Sequence, residues 1–338
     1  MTRLILDSLM ITGFVASMML LIEYLNVLSS EQWSRRLARV RSGQCLLAAA
    51  LGAMPGCLDA FTAITLYSHG IVSFGLVVAA MLATSGDEAF VMLALIPQTA
   101  LVLIAILFVL AVLAGFTADL IAEKSAFSWP RCTALVVHPE ETLPRSSLHA
   151  IRAQWRDCSA TRGLLTTALV FFAAATAFGL IGPPAWDWVR ISLIFVSAAS
   201  LFIAITVPDH LLEEHLWKHV ARKHAPRVFL WTLGALALSG PIEHLFKLTG
   251  SPHSSSWLLL LMACRIGLIP ESGPHLIFVT LYAQHAAPFG ILLASSIMQD
   301  GHGMLPMLAH SSRALVAVKA VNFLLGLAAG GAAISLGF

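Results

Sequence analysis

Long apolar stretches alternate with short polar segments along most of the chain. Some of these stretches reach the length of about 20 residues that a helix needs to cross a bilayer, whereas others are interrupted by Pro, Gly and charged residues. The pattern predicts an all-α polytopic membrane protein with about eight to ten transmembrane helices, some of them broken or re-entrant. The uninterrupted stretches lie near 6–28, 98–122, 164–182, 190–207, 228–249 and 314–337, and the interrupted ones cover 44–96 and 256–310.

The composition agrees with a membrane protein. Hydrophobic residues make up 58% of the chain and charged residues 11%, against roughly 25% charged residues in a soluble domain. The formal net charge of +2 gives no electrostatic support for a nucleic-acid partner. The sequence contains no Gly-x4-Gly-Lys-Ser/Thr phosphate loop, so we expect an ion gradient to drive any uphill transport. The five cysteines have no CxxC spacing and are predicted to be free thiols.

The two interrupted stretches resemble each other in sequence. Residues 52–94 align without a gap with residues 267–309, which lie 215 positions further along the chain. Apolar composition alone could supply the matched Ala and Leu residues, but not the polar, aromatic and Gly matches in one register. The identical pairs are Gly52/Gly267, Pro55/Pro270, Thr65/Thr280, Leu66/Leu281, Tyr67/Tyr282, Phe74/Phe289, Gly75/Gly290, Ala79/Ala294, Gly86/Gly301, Met92/Met307, Leu93/Leu308 and Ala94/Ala309.

A repeat of this kind is typical of transporters, which bind their substrate where interrupted helices of the two halves meet. The distribution of Lys and Arg places the loops near 29–43, 123–163 and 208–227 in the cytoplasm. This placement requires an even number of crossings between the first two loops, which a re-entrant hairpin at 44–69 would give, and it favours an inverted repeat. A simpler count of ten spans gives a parallel repeat and violates the charge rule once. The predicted organisation is membrane repeat 1 at 1–122, a cytoplasmic connector at 123–163, a two-helix unit with a His-rich cytoplasmic loop at 164–226, and membrane repeat 2 at 227–338.

Polar breaks interrupt both copies of the repeat, at 55–59 and 84–88 in the first copy and at 270–275 and 299–303 in the second. Backbone that leaves a helix is tolerated at membrane depth only where protein or a polar cavity covers it. Ionisable residues at that depth usually mark a transport path. We therefore predict an ion site built from the carboxylates and imidazoles at these breaks, namely Asp59, Asp87, Glu88, Glu271, His275, Asp300 and His302.

Carboxylates together with imidazoles suit divalent first-row metals such as manganese, iron, cobalt or zinc, whereas trivalent arsenic would require thiolates. Of the cysteines, only Cys57 lies at a break. An alternative role is structural, since these side chains could pair with Arg265, Arg313 or Lys319, or could cap half-helices. Asp59 and Asp300 are the best candidates for caps.

A second group of ionisable residues lies in the predicted cytoplasmic loop at 209–224. On a helix, His215 and His219 would share one face and could capture a metal together with His210 or Glu214. The alternative is an amphipathic helix whose apolar side rests on the bilayer. In the two opening helices, Glu23 and the pair Glu243 and His244 occupy equivalent places and are candidates for carrying protons.

The motifs at 54–57, 85–88 and 269–275, together with the His-rich loop, resemble the ten-transmembrane heavy-metal exporter family of bacteria. Members of that family are labelled arsenic efflux proteins or manganese transporters. The resemblance covers nearly the whole chain, and it implies a multi-pass permease of the bacterial inner membrane that exports a metal or metalloid. It also implies the direction of transport.

The sequence thus predicts a transporter rather than an enzyme. Its expected partners are the lipid bilayer, a divalent metal cation as substrate and a coupling proton or sodium ion, with no resident cofactor and no nucleic acid. The alternatives are an arsenical or organic-anion permease and an intramembrane metalloenzyme. The metal, the coupling ion and the oligomeric state, including a homo-oligomer, are left open.

Overall fold

The chain forms helices throughout the residues that the computed structural model describes, with no β-strand among them. At some of these positions only the backbone is described, including Glu23, Glu214, His215, His219, Glu243 and His244. The described residues are 2–39, 43–53, 63–64, 66–67, 71–86, 88–124, 152, 154–156, 158–183, 185–186, 188–248, 252–269, 272–300, 304, 307 and 311–338.

The helices follow the predicted apolar stretches. A helical turn at Asp209–Leu211 and a π-helical segment at Leu212–His224 precede α8, and a 3₁₀ turn at Gly273–His275 precedes α10. The α-helices are α1 (Thr2–Arg39), α2 (Gln44–Gly52), α3 (Phe74–Ala83), α4 (Glu88–Leu95), α5 (Pro97–Lys124), α6 (Ala160–Ala177), α7 (Trp188–Thr206), α8 (Ala225–Leu248), α9 (Pro252–Ile266), α10 (Leu276–Ala283), α11 (Phe289–Met298) and α12 (Ser312–Ser335).

Five segments among the described residues are long and apolar enough to cross a membrane: Arg3–Leu21, Phe74–Leu95, Pro97–Ile121, Ala160–Ala177 and Ser312–Ser335. Shorter apolar helices accompany them, including α10 and α11. The prediction of an all-α polytopic membrane protein is therefore confirmed. The positions of the loops relative to the two sides of the membrane remain predictions.

Helix α5 shows how these helices divide between protein and lipid. Its buried face carries mainly small residues, and its exposed face carries large apolar ones. A soluble helix places its large apolar side chains in the core, so the outer face of α5 suits contact with lipid. The buried residues are Ala100, Leu103, Leu107, Ala111, Ala114 and Ala118, and the exposed ones include Leu101, Val109, Leu113 and Phe116.

The described helices fall into two compact units. The first unit comprises Met1–Ser30 and Glu140–Ala237, and the second comprises Glu31–Pro139 and Leu238–Phe338. Both copies of the aligned repeat, 52–94 and 267–309, lie in the second unit.

In the first unit, α6 and α7 pack together and each caps the other with an arginine. Arg162, near the start of α6, donates to the carbonyl oxygens of Ala204 and Val207 at the end of α7, at 2.7 and 2.6 Å. It also pairs with Asp209 at 2.9 Å. These carbonyls have no partner within the helix, so a buried guanidinium with several donors satisfies them.

Arg190 caps the C-terminal end of the other helix of this pair. It lies near the start of α7 and donates to the carbonyl oxygens of Thr176 and Ala177 at the end of α6, at 3.1 and 2.6 Å. Its guanidinium carbon lies 4.3 Å from the centroid of the Trp186 ring. A cation at a helix C-terminus is also favoured by the helix dipole, so the two arginines stabilise opposite ends of the α6–α7 pair.

In the second unit, the two sequence copies form the same local structure. Helix α3 begins at Phe74 and ends at Ala83, and α11 begins and ends at the residues 215 positions later, Phe289 and Met298. The flanking backbone also agrees. The caps before the helices, Ser73 and Pro288, have φ/ψ of −77°/163° and −73°/160°. The caps after them, Thr84 and Gln299, have −76°/120° and −81°/125°.

The structural repeat extends beyond the aligned sequence. Helix α5 begins at Pro97 and α12 begins at Ser312, again 215 positions apart. Each packs against the short helix of its own copy, α5 against α3 and α12 against α11. The aromatic pairs match as well, since the ring centroids of Tyr67 and Phe74 are 5.9 Å apart and those of Tyr282 and Phe289 are 6.2 Å apart.

Small residues permit the close approach of these helices. A Cβ atom added at Gly290 of α11 would lie 2.7 Å from the carbonyl oxygen of Gly330 in α12. The equivalent residues of the first copy, Gly75 and Gly115, are in contact in the same way. Glycine at such positions allows helix backbones to approach closely in membranes.

This contact predicts a stability effect for Gly290→Ala. The added methyl group meets backbone that cannot rotate away, and overpacking of this kind costs about 1–3 kcal/mol. We expect a lower temperature of unfolding in detergent for this variant. The matched control is Gly234→Ala in α8, where an added Cβ meets nothing within 4 Å and the higher helix propensity of Ala stabilises by up to about 1 kcal/mol. Equal unfolding temperatures for the two variants would contradict the close helix contact.

Candidate functional site

The break in the first copy separates α3 from α4. After Ala83 the chain is extended at Thr84, and Gly86 adopts a left-handed conformation with φ of +48°. This conformation favours glycine, because it has no Cβ atom to clash with its own backbone. Helix α4 begins at Glu88. With 10 residues, α3 spans about 15 Å, roughly half of the hydrocarbon layer of a bilayer.

The second copy is broken in the same way at two places. Helix α9 ends at Ile266 before the 3₁₀ turn at Gly273–His275, and α11 ends at Met298 before the extended residue Gln299. The predicted breaks at 270–275 and 299–303 therefore coincide with real ends of helices. In the first copy, residues 54–62 lie outside the described part of the chain, so the predicted hairpin at 44–69 stays a prediction.

Breaks from the two copies meet at Gly86. A Cβ atom added there would lie 2.9 Å from Ser272 Oγ and 3.1 Å from Gln299 Nε2. Helix α4 packs against α10, which brings further residues of the two breaks into one region of the second unit. All three contacting residues are buried. These contacts join the break at 84–88 to those at 270–275 and 299–303, as expected if interrupted helices of the two copies meet.

Two of the predicted metal ligands approach the same turn of α11. Glu88 is fully buried, and its Oε1 atom accepts a hydrogen bond from Ser296 Oγ at 3.4 Å. His275 is also fully buried, and its Nδ1 atom lies 2.8 Å from Ser295 Oγ. Ser295 and Ser296 are neighbours in α11, so this helix holds a carboxylate from the first copy and an imidazole from the second.

Asp300 has a different environment. Its carboxylate forms an ion pair with Lys319 of α12, and it accepts a hydrogen bond from Asn322 Nδ2 at 2.7 Å. All three side chains are buried. An ion pair with Lys319 was the structural alternative suggested by the sequence, and for Asp300 the structure contains that pair.

Lys319 also joins the ends of two broken helices. Its Nζ atom donates to the carbonyl oxygen of Gly267, just after α9, at 2.6 Å, and to that of Met298, at the end of α11, at 3.1 Å. Carbonyls at a helix end lack partners within the helix, and the helix dipole favours a cation there. A single ammonium group therefore stabilises both helix ends and neutralises Asp300.

Several buried polar atoms in this region have no hydrogen-bond partner among the described residues. Elsewhere in the described part of the chain only Ser17 Oγ and Thr232 Oγ1 share this condition. Buried polar groups are normally hydrogen-bonded, and an exception calls for an explanation such as a bound ion or water. The atoms are Ser85 Oγ, Glu88 Oε2, Ser272 Oγ, His275 Nε2, Gln299 Oε1, Gln299 Nε2 and Asn322 Oδ1, together with Asp300 Oδ2, which has the ion pair with Lys319 instead.

The remaining predicted ligands cannot be placed. Asp59, Asp87, Glu271 and His302 lie outside the described residues. Among the residues that are described, no group of three or more His, Cys, Asp or Glu side chains has the arrangement of a metal site. The complete metal-ligand set therefore remains a prediction from the sequence, of which the structure describes Glu88, His275 and Asp300.

The His-rich segment is helical, as the sequence suggested for its histidines. It runs through Asp209–Leu211 and the π-helix Leu212–His224 into α8. His210 is exposed and His224 is buried. Only the backbone is described for Glu214, His215 and His219, and the same holds for the candidate proton carriers Glu23, Glu243 and His244. Both proposed roles therefore remain predictions.

Sequence reasoning missed Asp119, which caps α3. Its carboxylate accepts hydrogen bonds from Ser73 Oγ at 2.7 Å and from the backbone N–H of Gly75 at 2.8 Å. The signal available in the sequence was a single acidic residue near the end of the long apolar stretch 98–122. Asn322 was missed as well, although it lies three residues after Lys319 and therefore on the same side of its helix.

The sequence was compared with families of known proteins. A family model described as "Putative, 10TM heavy-metal exporter" matches residues 4–321 of the chain. The matched range contains both copies of the aligned repeat and all four breaks. No curated protein and no solved structure matches the chain.

The network around Lys319 predicts a large stability effect for Lys319→Met. The substitution leaves the Asp300 carboxylate buried without its cation, which typically costs about 3–5 kcal/mol. We expect a much lower unfolding temperature in detergent, and partial recovery in the double variant Lys319→Met/Asp300→Asn. The matched control is Arg313→Met, since Arg313 is an exposed cation on the same helix. Equal decreases in the unfolding temperatures of Lys319→Met and Arg313→Met would show that the buried ion pair contributes no more to stability than an exposed cation does.

Proposed function

Because the chain belongs to the family described as 10TM heavy-metal exporters, we propose that it is a secondary-active exporter of a divalent transition-metal cation such as manganese. The description of the family names heavy-metal export, which supports outward transport as the direction. Our proposal adds the divalent cation, a site at the broken helices of the second unit, and a location in the bacterial inner membrane.

The observation that carries the proposal is the arrangement of Glu88 and His275. Each is fully buried and anchored by a hydroxyl group of α11, and each keeps one further ligand atom without a hydrogen-bond partner among the described residues. For Glu88 this atom is Oε2, and for His275 it is Nε2. A carboxylate oxygen and an imidazole nitrogen are ligands that manganese, iron, cobalt and zinc share.

The serines would set the chemical state of this pair. When Nδ1–H of His275 donates to Ser295 Oγ, Nε2 carries the lone pair that a metal requires. Such outer hydrogen bonds orient metal ligands in many proteins. The contact of Ser296 with Oε1 of Glu88 likewise leaves Oε2 available.

The proposal gives the other predicted residues distinct roles. Asp87, Glu271 and His302 are further ligand candidates because they neighbour the breaks in sequence, and Asp59 is a candidate on the same ground. We assign Asp300 a positioning role, since Lys319 and Asn322 already engage its carboxylate. The His-rich segment would collect metal from the cytoplasm, and Glu23, Glu243 and His244 would carry protons.

The repeat supports transport over catalysis. A metalloenzyme needs one open coordination position beside a base, and a second copy of a broken helix adds nothing to that requirement. Alternating access instead uses two similar elements that move around a shared site. Helices α3 and α11 are such a pair, since they have equivalent bounds and caps. An inverted arrangement of the copies in the membrane is part of the proposal.

The test is flux of Mn²⁺, Zn²⁺, Co²⁺ and arsenite in proteoliposomes, measured for the wild type, Glu88→Gln and His275→Ala. We expect saturable flux of a divalent cation, with its apparent affinity lowered at least about 100-fold in either variant because an inner ligand is lost.

Each of two matched controls removes a carboxylate or an imidazole that lies outside the site. Asp7→Asn alters an exposed carboxylate, and His285→Asn alters an exposed imidazole. Asn suits position 285 because φ is 58° there. Both should transport like the wild type. Movement of arsenite without any divalent cation, or full activity in Glu88→Gln and His275→Ala, would overturn the proposal.

A second prediction concerns Ser295→Ala. Removal of this hydroxyl leaves Nδ1 of His275 without its partner and frees the ring to turn, so the affinity for the metal should fall about 10–100-fold. Calorimetric titration of the purified protein with Mn²⁺ measures this directly. Unchanged affinity would show that Ser295 does not orient a metal ligand.

A further inference from the structure

A second group of unpartnered polar side chains surrounds Gly86, apart from Glu88 and His275. Its members are Ser85, Ser272 and Gln299, which are 3%, 2% and 0% exposed. Their hydroxyl and amide atoms have no hydrogen-bond partner among the described residues. Leaving such groups unsatisfied in a buried place costs free energy for each of them, so the cluster suits a polar ligand.

The geometry brings two of these side chains to one point. Ser272 Oγ and the Gln299 amide both lie within 3.3 Å of the position that a Cβ atom of Gly86 would occupy, and Ser85 is the adjacent residue. The left-handed backbone of Gly86 keeps this position free of a side chain. Two residues of the group come from the second copy and one from the first, so the cluster exists only while the break at 84–88 is in contact with those at 270–275 and 299–303.

The surrounding helix ends determine the sign of the charge that fits. Thr84 and Gln299 are the caps at the C-terminal ends of α3 and α11. The helix dipole places partial negative charge at such ends, and in transporters the C-terminal ends of half-helices coordinate monovalent coupling cations. Ser272 instead precedes the N-terminal end of the three-residue 3₁₀ turn at Gly273–His275. The preference for a cation therefore rests on the ends of α3 and α11, which have 10 residues each.

The ligand atoms narrow the choice of cation. The group contributes hydroxyl and amide oxygens, with no imidazole, thiol or carboxylate among its three members. Neutral oxygen ligands suit a hard cation, and without a carboxylate in the group a charge of +1 is easier to bury than +2. The ammonium of Lys319, which binds the carbonyl oxygen of Met298, is already neutralised by Asp300.

From these contacts we propose that Ser85, Ser272 and Gln299 form a binding site for Na⁺. This inference rests on the proposed function, because Na⁺ serves as the coupling ion of the exporter. Sodium at this position holds the breaks of the two copies together around Gly86. Its release lets them separate, which links the sodium gradient to the exposure of the metal site.

The first experiment measures equilibrium binding of ²²Na⁺ to the purified full chain at constant ionic strength, with choline as the replacement cation. Wild-type protein should bind ²²Na⁺ saturably, and unlabelled Na⁺ should compete better than K⁺. Ser85→Ala and Ser272→Ala should each weaken binding at least tenfold. The matched control is Ser17→Ala, since Ser17 is also a buried serine whose hydroxyl lacks a partner, but it belongs to the first unit.

Unfolding temperatures of the three variants show whether each is folded, and the wild-type measurement stands without them. Absence of saturable ²²Na⁺ binding would overturn the site and leave buried water as the partner of these side chains. An equal loss in Ser17→Ala would also contradict it.

A second experiment separates this inference from the proposed function. Mn²⁺ flux is followed in proteoliposomes at clamped pH and voltage with an imposed Na⁺ gradient, and then with a pH gradient in Na⁺-free solution. Flux driven by Na⁺ supports both proposals. Flux driven only by the pH gradient supports metal transport and overturns sodium coupling. Specific ²²Na⁺ binding without any metal flux supports the sodium site while the metal proposal fails.

Discussion

The constraint on which the second unit depends is that a helix ending inside a bilayer leaves carbonyl oxygens without partners. Water cannot satisfy them there, and each would cost several kcal/mol if left alone. Lys319 meets this requirement for two ends at once, through the carbonyls of Gly267 and Met298. Asp300 then neutralises the cation. The break that creates room for a site is thus possible because a buried ion pair supports its edges.

The same physical solution occurs in the first unit, at the ends of α6 and α7. Arg162 and Arg190 cap the C-terminal ends of α7 and α6 with several hydrogen bonds each. A guanidinium has enough donors to serve several carbonyls, and its charge suits the negative end of the helix dipole. Three basic residues of the described helices, Arg162, Arg190 and Lys319, bind backbone carbonyls. They therefore do not indicate which substrate this protein binds. The unpartnered atoms around the breaks are better guides.

How much the sequence could predict depended on the distance between the interacting residues. The span at 98–122 corresponds to α5 at Pro97–Lys124, because apolar length alone determines such a helix. The break at Gly86 was predictable from a local cluster of Thr, Ser, Gly and charged residues. The backbone partners of Lys319 were not, since they lie 52 and 21 positions away and are carbonyl oxygens of helix ends. Every residue has a backbone carbonyl, so the sequence does not show which carbonyl oxygens bind Lys319. Only the folded structure identifies them.

The two copies share a backbone but differ in the residues they place on it. The positions equivalent to Lys319 and Asn322 in the first copy are Ile104 and Leu107, so the polar network belongs to the second copy alone. The first copy contributes Glu88 instead, whose equivalent in the second is Gly303. A carboxylate and an imidazole therefore reach α11 from different copies. Divergence after duplication explains this division, because two identical halves would bring like ligands together, whereas two diverged halves can combine unlike ones.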